Sequence, residues 1–298
     1  MNPIKAGLLA PPTASQGLTA CAGYLLLATG LLGALGCHPL TARRIDTSAI
    51  YDSPQLLDDQ PQIQRGEPRK LIDGFGWVWG VPNKLLLWNR RMDNHHIGPE
   101  TEAAIAAYLY DNDLPTVRVR LNQYRPGEDW RRLVRNKSVG AGWRYTLGTL
   151  SVLGETVIPG RLFGGDHYNP FTNTVHIYSD IPAIALHEGA HAKDFARRKW
   201  KGTYAVAYLV PVVPLYHESV ASRDVVAYLE THGTPQQQAA AQRILIPAYS
   251  TYVGNAGGYA LPNYGMPLFY GSVLAGHVWG YHESQQILQR AEVAEPAL

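Results

Sequence analysis

The residues His187-Glu188-Gly189-Ala190-His191 set two imidazoles and a carboxylate within five positions. On a helix, residues four apart lie one above the other, so His187 and His191 present their rings to one point while Glu188 projects about 100° round. Imidazole nitrogens suit a borderline divalent ion, and a catalytic zinc keeps one of its four positions for a water whose pKa falls to about 7. Glu188 then stands where a carboxylate takes the proton of that water as it attacks a carbonyl. The expectation is Zn2+ held by His187, His191 and a third donor, with Glu188 as the catalytic base. A helix to carry the pair is marked by Pro182 in a first turn, after Ser179 or Asp180 as a cap.

The third donor must come from elsewhere in the chain. In the metzincin pattern it is a further histidine after a glycine, but here Asp194 occupies the glycine position and Arg197 the histidine position. The segment Tyr216-His217-Glu218-Ser219 opens a helix on which Glu218, Ala221, Ser222, Val225 and Leu229 share one face, and a carboxylate on an apolar stripe is costly to bury unless paired or bound to metal. With Glu218 following the His-Glu-x-x-His run, the order resembles that of the gluzincins, zinc metallopeptidases whose third ligand is a glutamate on a later helix. Tyr-His-Glu-Ser recurs at Tyr281 to Ser284, so Glu283 or His282 is the alternative donor; Glu218 is preferred for its longer apolar helix face and for the gluzincin order.

The resemblance implies a zincin-like α+β fold, with a small mixed sheet and an edge strand over an active-site helix, and a peptide or protein substrate. In that architecture extended peptide joins the edge strand just before the helix, which puts Thr174, His176 and Tyr178 at the substrate. A carboxylate four residues after the glutamate ligand often orients a zinc histidine; that position is Ser222 here, with Asp194 as the other candidate for the role. For the donor that stabilises the oxyanion, His217, Tyr252, Tyr264, His277 and His282 stand unranked.

Several elements must position these groups. Pro99, Glu100 and the spacing of Ile105, Tyr108 and Leu109 predict a helix over 99–112. Val117, Val119 and Leu121 alternate with Arg118 and Arg120, a strand with one wet face. A short helix around Trp130 carries Arg131, Arg132, Arg135 and Lys137 as a solvated face, and glycine-rich, hairpin-like sequence follows to Gly165. Thr172 to Tyr178 reads as a strand after an Asn169-Pro170 turn. Thr234-Pro235-Gln236-Gln237 is a capping box opening a helix to about Ile246. Ile244 to His282 contains no Asp, Glu, Lys or Arg, which predicts a buried or partner-facing helical cap, with Gly271, Gly276 and Gly280 permitting close packing.

The whole chain bounds these readings. It has 298 residues, 46% of them hydrophobic, enough for a sizeable core without disulfides, and a net charge of +2 that offers no footprint for nucleic acid. Both cysteines, Cys21 and Cys37, lie in the opening stretch. Uncharged from Leu18 to Cys37 and ending Ala34-Leu35-Gly36-Cys37, that stretch resembles a bacterial lipoprotein signal, which implies lipidation of Cys37 and residence in the cell envelope on a membrane anchor, an uncleaved helix being the alternative. The expected organisation is a signal segment over 1–37, a tether over 38–70, and a catalytic domain over 71–298 whose glycine- and tyrosine-rich end begins near 233. Two other functional classes stay in view, a zinc-binding envelope lipoprotein without hydrolytic activity and a membrane-embedded zinc hydrolase.

Overall fold

The computed structural model describes residues 40–294; the signal-like segment, with the proposed lipidation at Cys37, lies outside them. Among the described residues four short strands form one mixed sheet: β1 (Ile63–Arg65), β2 (Arg118–Leu121), β3 (His167–Asn169) and β4 (Thr174–Ile177), in the order β1-β2-β4-β3. β1, β2 and β4 run parallel, and β3 returns antiparallel on β4. The rest of the fold is mainly helical: α1 (Lys70–Trp79), α2 (Pro99–Asp111), α3 (Pro126–Arg135), α4 (Thr149–Val157), α5 (Pro182–Ala196), α6 (Val213–His232), α7 (Pro235–Ala260) and α8 (Gly265–Ala294), with shorter helical turns between.

Two expectations for the sheet are corrected. Alternation along β2 predicts a wet face, yet all four of its residues are buried. The β2 arginines are satisfied within the protein: Arg120 donates to Asp129 of α3 at 3.1 and 2.8 Å and Arg118 to Asp58 at 2.6 Å. Arg132 of α3, expected on a solvated face, is buried as well and donates to the carbonyls of Thr116, Thr172 and Asn173. The glycine-rich stretch before Gly165 is helical, not a hairpin. At Gly148 an added Cβ would stand 2.7 Å from Leu133 Cδ1 and 3.0 Å from Phe171 Cδ1, so that glycine serves close packing, not a turn.

Helix α5 runs through the centre, with every residue from Ala183 to Ala196 buried. It packs on α2, α6, α7 and the sheet, in one apolar cluster that includes Ile105, Tyr108, Val175, Leu186, Val225 and Leu245. Gly189 makes the α2 contact possible: a Cβ there would meet Ile105 Cδ1 at 2.8 Å and Tyr108 Cδ1 at 2.9 Å. A buried ion pair fixes α6 against α5, Lys193 Nζ donating to the Asp224 carboxylate at 2.8 and 3.1 Å, and the Tyr108 hydroxyl from α2 donates to the same carboxylate.

Residues 40–69 are folded onto this body and are no tether. Leu40, Ile45 and Leu56 are buried. The Tyr51 amide donates to the Ala196 carbonyl at 2.7 Å, the Ile45 amide to Asp224 Oδ1 at 2.5 Å, and β1 completes the sheet beside β2. A polar sequence without periodicity can be held this way because backbone hydrogen bonds, unlike apolar stripes, leave no pattern in residue type. At the other end the capping box forms as expected, Gln237 N donating to Thr234 Oγ1 at 3.2 Å and Thr234 N to Gln237 Oε1 at 2.9 Å. The helix it opens continues past Ile246 and through Pro247 to Ala260, because α8 packs along it. Gly276 and Gly280 sit at that contact as anticipated, and Gly254 joins them, since a Cβ added there would stand 2.6 Å from Phe269 Cα. No described helix is long and apolar enough to cross a membrane.

Candidate metal centre

Helix α5 presents His187 and His191 one turn apart, and α6 brings Glu218 up to them from the side. His187 Nε2 lies 3.0 Å from His191 Nε2 and 2.9 Å from Glu218 Oε2, and His191 Nε2 lies 3.5 Å from Glu218 Oε1. One ligand atom from each residue falls within 4.8 Å of the others, and all three residues are buried. Donors held about 2.1 Å from one ion in a tetrahedron stand roughly 3.4 Å apart, so the spacing and the two-nitrogen, one-oxygen donor set fit a small divalent ion. Ser222, one turn beyond Glu218, sets its hydroxyl 3.2 Å from His187 Nδ1. A proton on Nδ1 engaged there leaves the Nε2 lone pair for the cluster.

Electrostatics distinguish the two glutamates. Burial would raise the Glu218 carboxyl, but the two imidazoles that face it, His191 foremost, hold it far below the usual carboxylate range. Glu188 meets the opposite balance: burial pushes it up, His187 pulls it down, and Glu218 and Asp166 add to the rise, bringing it to about 7. One residue from the first histidine, Glu188 is therefore a carboxyl poised to exchange a proton near neutral pH.

These groups open into a cleft of about 490 Å³ whose walls include Glu188, Tyr208, Tyr252, His167, Tyr168 and Phe171. The Tyr208 hydroxyl donates to Glu218 Oε1 at 2.8 Å, and the Tyr252 hydroxyl is hydrogen-bonded to the same carboxylate. Of the five residues considered for the oxyanion, only Tyr252 lines the cleft. His217 is buried between Tyr204 and Tyr208, its ring 4.1 Å from the former and 4.2 Å from the latter, and burial lowers it to about 4. His277 stacks on Trp88 and meets the Leu86 carbonyl, and His282 pairs with Gln286. Glu283, the alternative donor with His282, accepts from Trp279 on α8 and takes no part in the cluster.

Two site expectations are overturned. The strand before the helix, β4, is interior to the sheet, and Thr174, His176 and Tyr178 are all buried, away from the cleft. The edge is β3, because the chain turns back at Pro170 and the returning strand pairs inside it; Gly165 to Tyr168 line the cleft instead. Asp194 does not reach a histidine. It lies under Arg197 and Arg198, which donate to it at 3.0 and 2.7 Å, and also accepts from Tyr204, so its charge is consumed at the end of α5. Tyr208 and His167 were missed from sequence. Tyr208 lies in the uncharged stretch before α6, and its position in that stretch carries no periodic signal.

Compared with protein-family models, with curated proteins and with solved structures, the chain matches none.

Proposed function

We propose that the protein is a zinc-dependent metallopeptidase of the cell envelope, with His187, His191 and Glu218 as metal ligands and Glu188 as catalytic base. The observation that carries this reading is the convergence of three buried donors at an open cleft, with a second carboxylate, Glu188, beside them that is left out of the ligand set. A purely structural site has no use for Glu188 in that place. The gluzincin-like order of the same residues points the same way.

Zinc bound to this triad would supply Lewis acidity and raise the acidity of a water in the cleft. The protein's own groups do the rest. Glu188, raised by burial, accepts a proton from the attacking water and returns it to the leaving amine. Ser222 holds the His187 ring so that Nε2 faces the cluster. Tyr208 and Tyr252 bring phenol hydroxyls to the cleft; both are bonded to Glu218, and turning either proton toward a substrate carbonyl oxygen would stabilise the charge that develops there. Extended peptide would add to the free side of β3, where backbone hydrogen bonds give affinity without demanding a particular sequence. Lipidation at Cys37 would hold the enzyme at the membrane on the envelope side.

The test compares wild type with Glu188→Gln for metal content and for cleavage of a peptide library. The variant should keep its zinc while losing hydrolysis by ~10²-fold or more. Unchanged turnover would remove Glu188 from the mechanism, and zinc without hydrolysis in the wild type would favour a non-catalytic zinc-binding lipoprotein. Cys37→Ser should release the protein from membranes; retention would count against lipidation.

A further inference from the structure

The geometry points to a second divalent-metal site, built from His167, His176 and Glu155 across the β3–β4 pair. Its ligands are different from those of the metallopeptidase reading, although His167 also borders the cleft. The β3–β4 register sets His167 directly opposite His176, and their rings stack at 4.7 Å with 11° between planes. Glu155 comes from the last turns of α4, its Oε1 lying 3.1 Å from His167 Nε2 and its Oε2 3.9 Å from His176 Nε2. One ligand atom from each of the three falls within 4.8 Å of the others.

Hydrogen-bond bookkeeping asks for a cation here. His167 Nδ1 lies 2.9 Å from the Gly165 carbonyl, an oxygen that can only accept, so Nδ1 carries a proton. Asn169 Nδ2 donates to Glu155 Oε1 at 2.6 Å, which engages that oxygen. His176 Nε2 and Glu155 Oε2 are left buried without a hydrogen-bond partner, although the residue holding the first is only 4% exposed. Two facing polar atoms left unsatisfied in the interior cost free energy that a shared ion removes. A cavity of about 80 Å³ lies against them and is also walled by Asp129. Arg120, beside His176 in the sheet, is committed to Asp129 at 2.8 Å and to Glu128 at 3.3 Å, so its charge is balanced.

Two imidazoles and one carboxylate select a borderline first-row ion, zinc or its neighbours, over calcium or magnesium. Such an ion ties β3 to β4 and α4. Because Gly165 to Tyr168 line the cleft, it would fix the edge that receives substrate.

The probe is Co2+ alone, titrated into chelator-stripped full-length protein and followed by its visible absorption. Wild type should take up about two equivalents, His176→Gln about one, and Glu218→Gln about one, the two variants losing different halves of the spectrum. Glu155→Gln, which keeps the Asn169 contact within reach, should repeat the His176→Gln result, and far-UV circular dichroism should show both variants folded. A single equivalent in wild type that His176→Gln and Glu155→Gln leave untouched would overturn the second site, as would two equivalents retained by both variants. A single equivalent abolished by His176→Gln and unaffected by Glu218→Gln would keep this site and sink the first.

Discussion

At the scale of residues, the centre depends on how each imidazole is turned. Ser222 is the group that meets His187 Nδ1, at the position where the gluzincin resemblance places a carboxylate. A hydroxyl orients the ring but lends it less basicity than an anion would, so Ser222→Ala should weaken zinc binding by about tenfold, and Glu218→Ala by far more. Competition with a chromophoric chelator measures both; equal losses would place Ser222 among the ligands. The placement of His187, Glu188 and His191 on one turn of α5 was legible in sequence because it needs only the period of one helix. Ser222 was legible in part, as the residue one turn past Glu218, but its contact depends on the distance between α5 and α6. His176 and Asp194 were misread for one reason: residue type shows that a side chain can bind, and its neighbours across the fold decide what it binds.

At the scale of elements, the position of Glu218 is set by the seating of α6 on α5. Lys193 and Asp224 form that joint below the site, with Tyr108 from α2 sharing the carboxylate. Asp224 is fully buried, so Asp224→Ala leaves the ammonium of Lys193 without its partner, at a cost of ~3 kcal/mol. Urea denaturation should show that loss with metal removed. If the midpoint stays where it was, the pair contributes nothing to the joint. The α2, α5 and α7 starts follow from local signals, Pro in the first turn or a capping box, but the cap expected at α5 is corrected: Ile181 is the N-cap without a side-chain bond, Ser179 being held by Asp166 and Asp180 by Arg91 and Thr101. The length of α7 beyond Pro247 did not follow, because the contact with α8 outweighs the hydrogen bond that proline removes. The exchange of edge and interior between β3 and β4 was equally hidden, since strand order is a matter of pairing between separate segments.

At the scale of the molecule, the segment 40–69 closes the fold by reaching across it. Lys201, at the start of the helical turn after α5, donates to the Tyr51 carbonyl and is 6% exposed. Burial lowers this lysine from 10.5 to about 8, Asp52 opposing the fall. The folded state thus releases a proton that the unfolded chain keeps between those values, so stability should rise as pH increases from about 8 to 10.5 and level off above. Below about 8 the full cost of the buried charge is present. Thermal denaturation across this range, with Lys201→Met as comparison, should show the rise in wild type and a smaller one in the variant; parallel curves would assign the slope elsewhere.

What the amino-acid order alone determined is local: two rings and an acid on one turn of helix, the caps and prolines that begin the helices, the glycines that let α7 and α8 approach. Each arises from contacts within a few residues, where chain geometry leaves little choice. Tertiary structure decided which glutamate joins the rings, which strand stands at the edge, that an apparently loose N-terminal segment is part of the core, and that His167 and His176 face each other beside a carboxylate. Those outcomes join segments tens of residues apart, and only the packing of the whole chain selects among the many pairings that residue types permit.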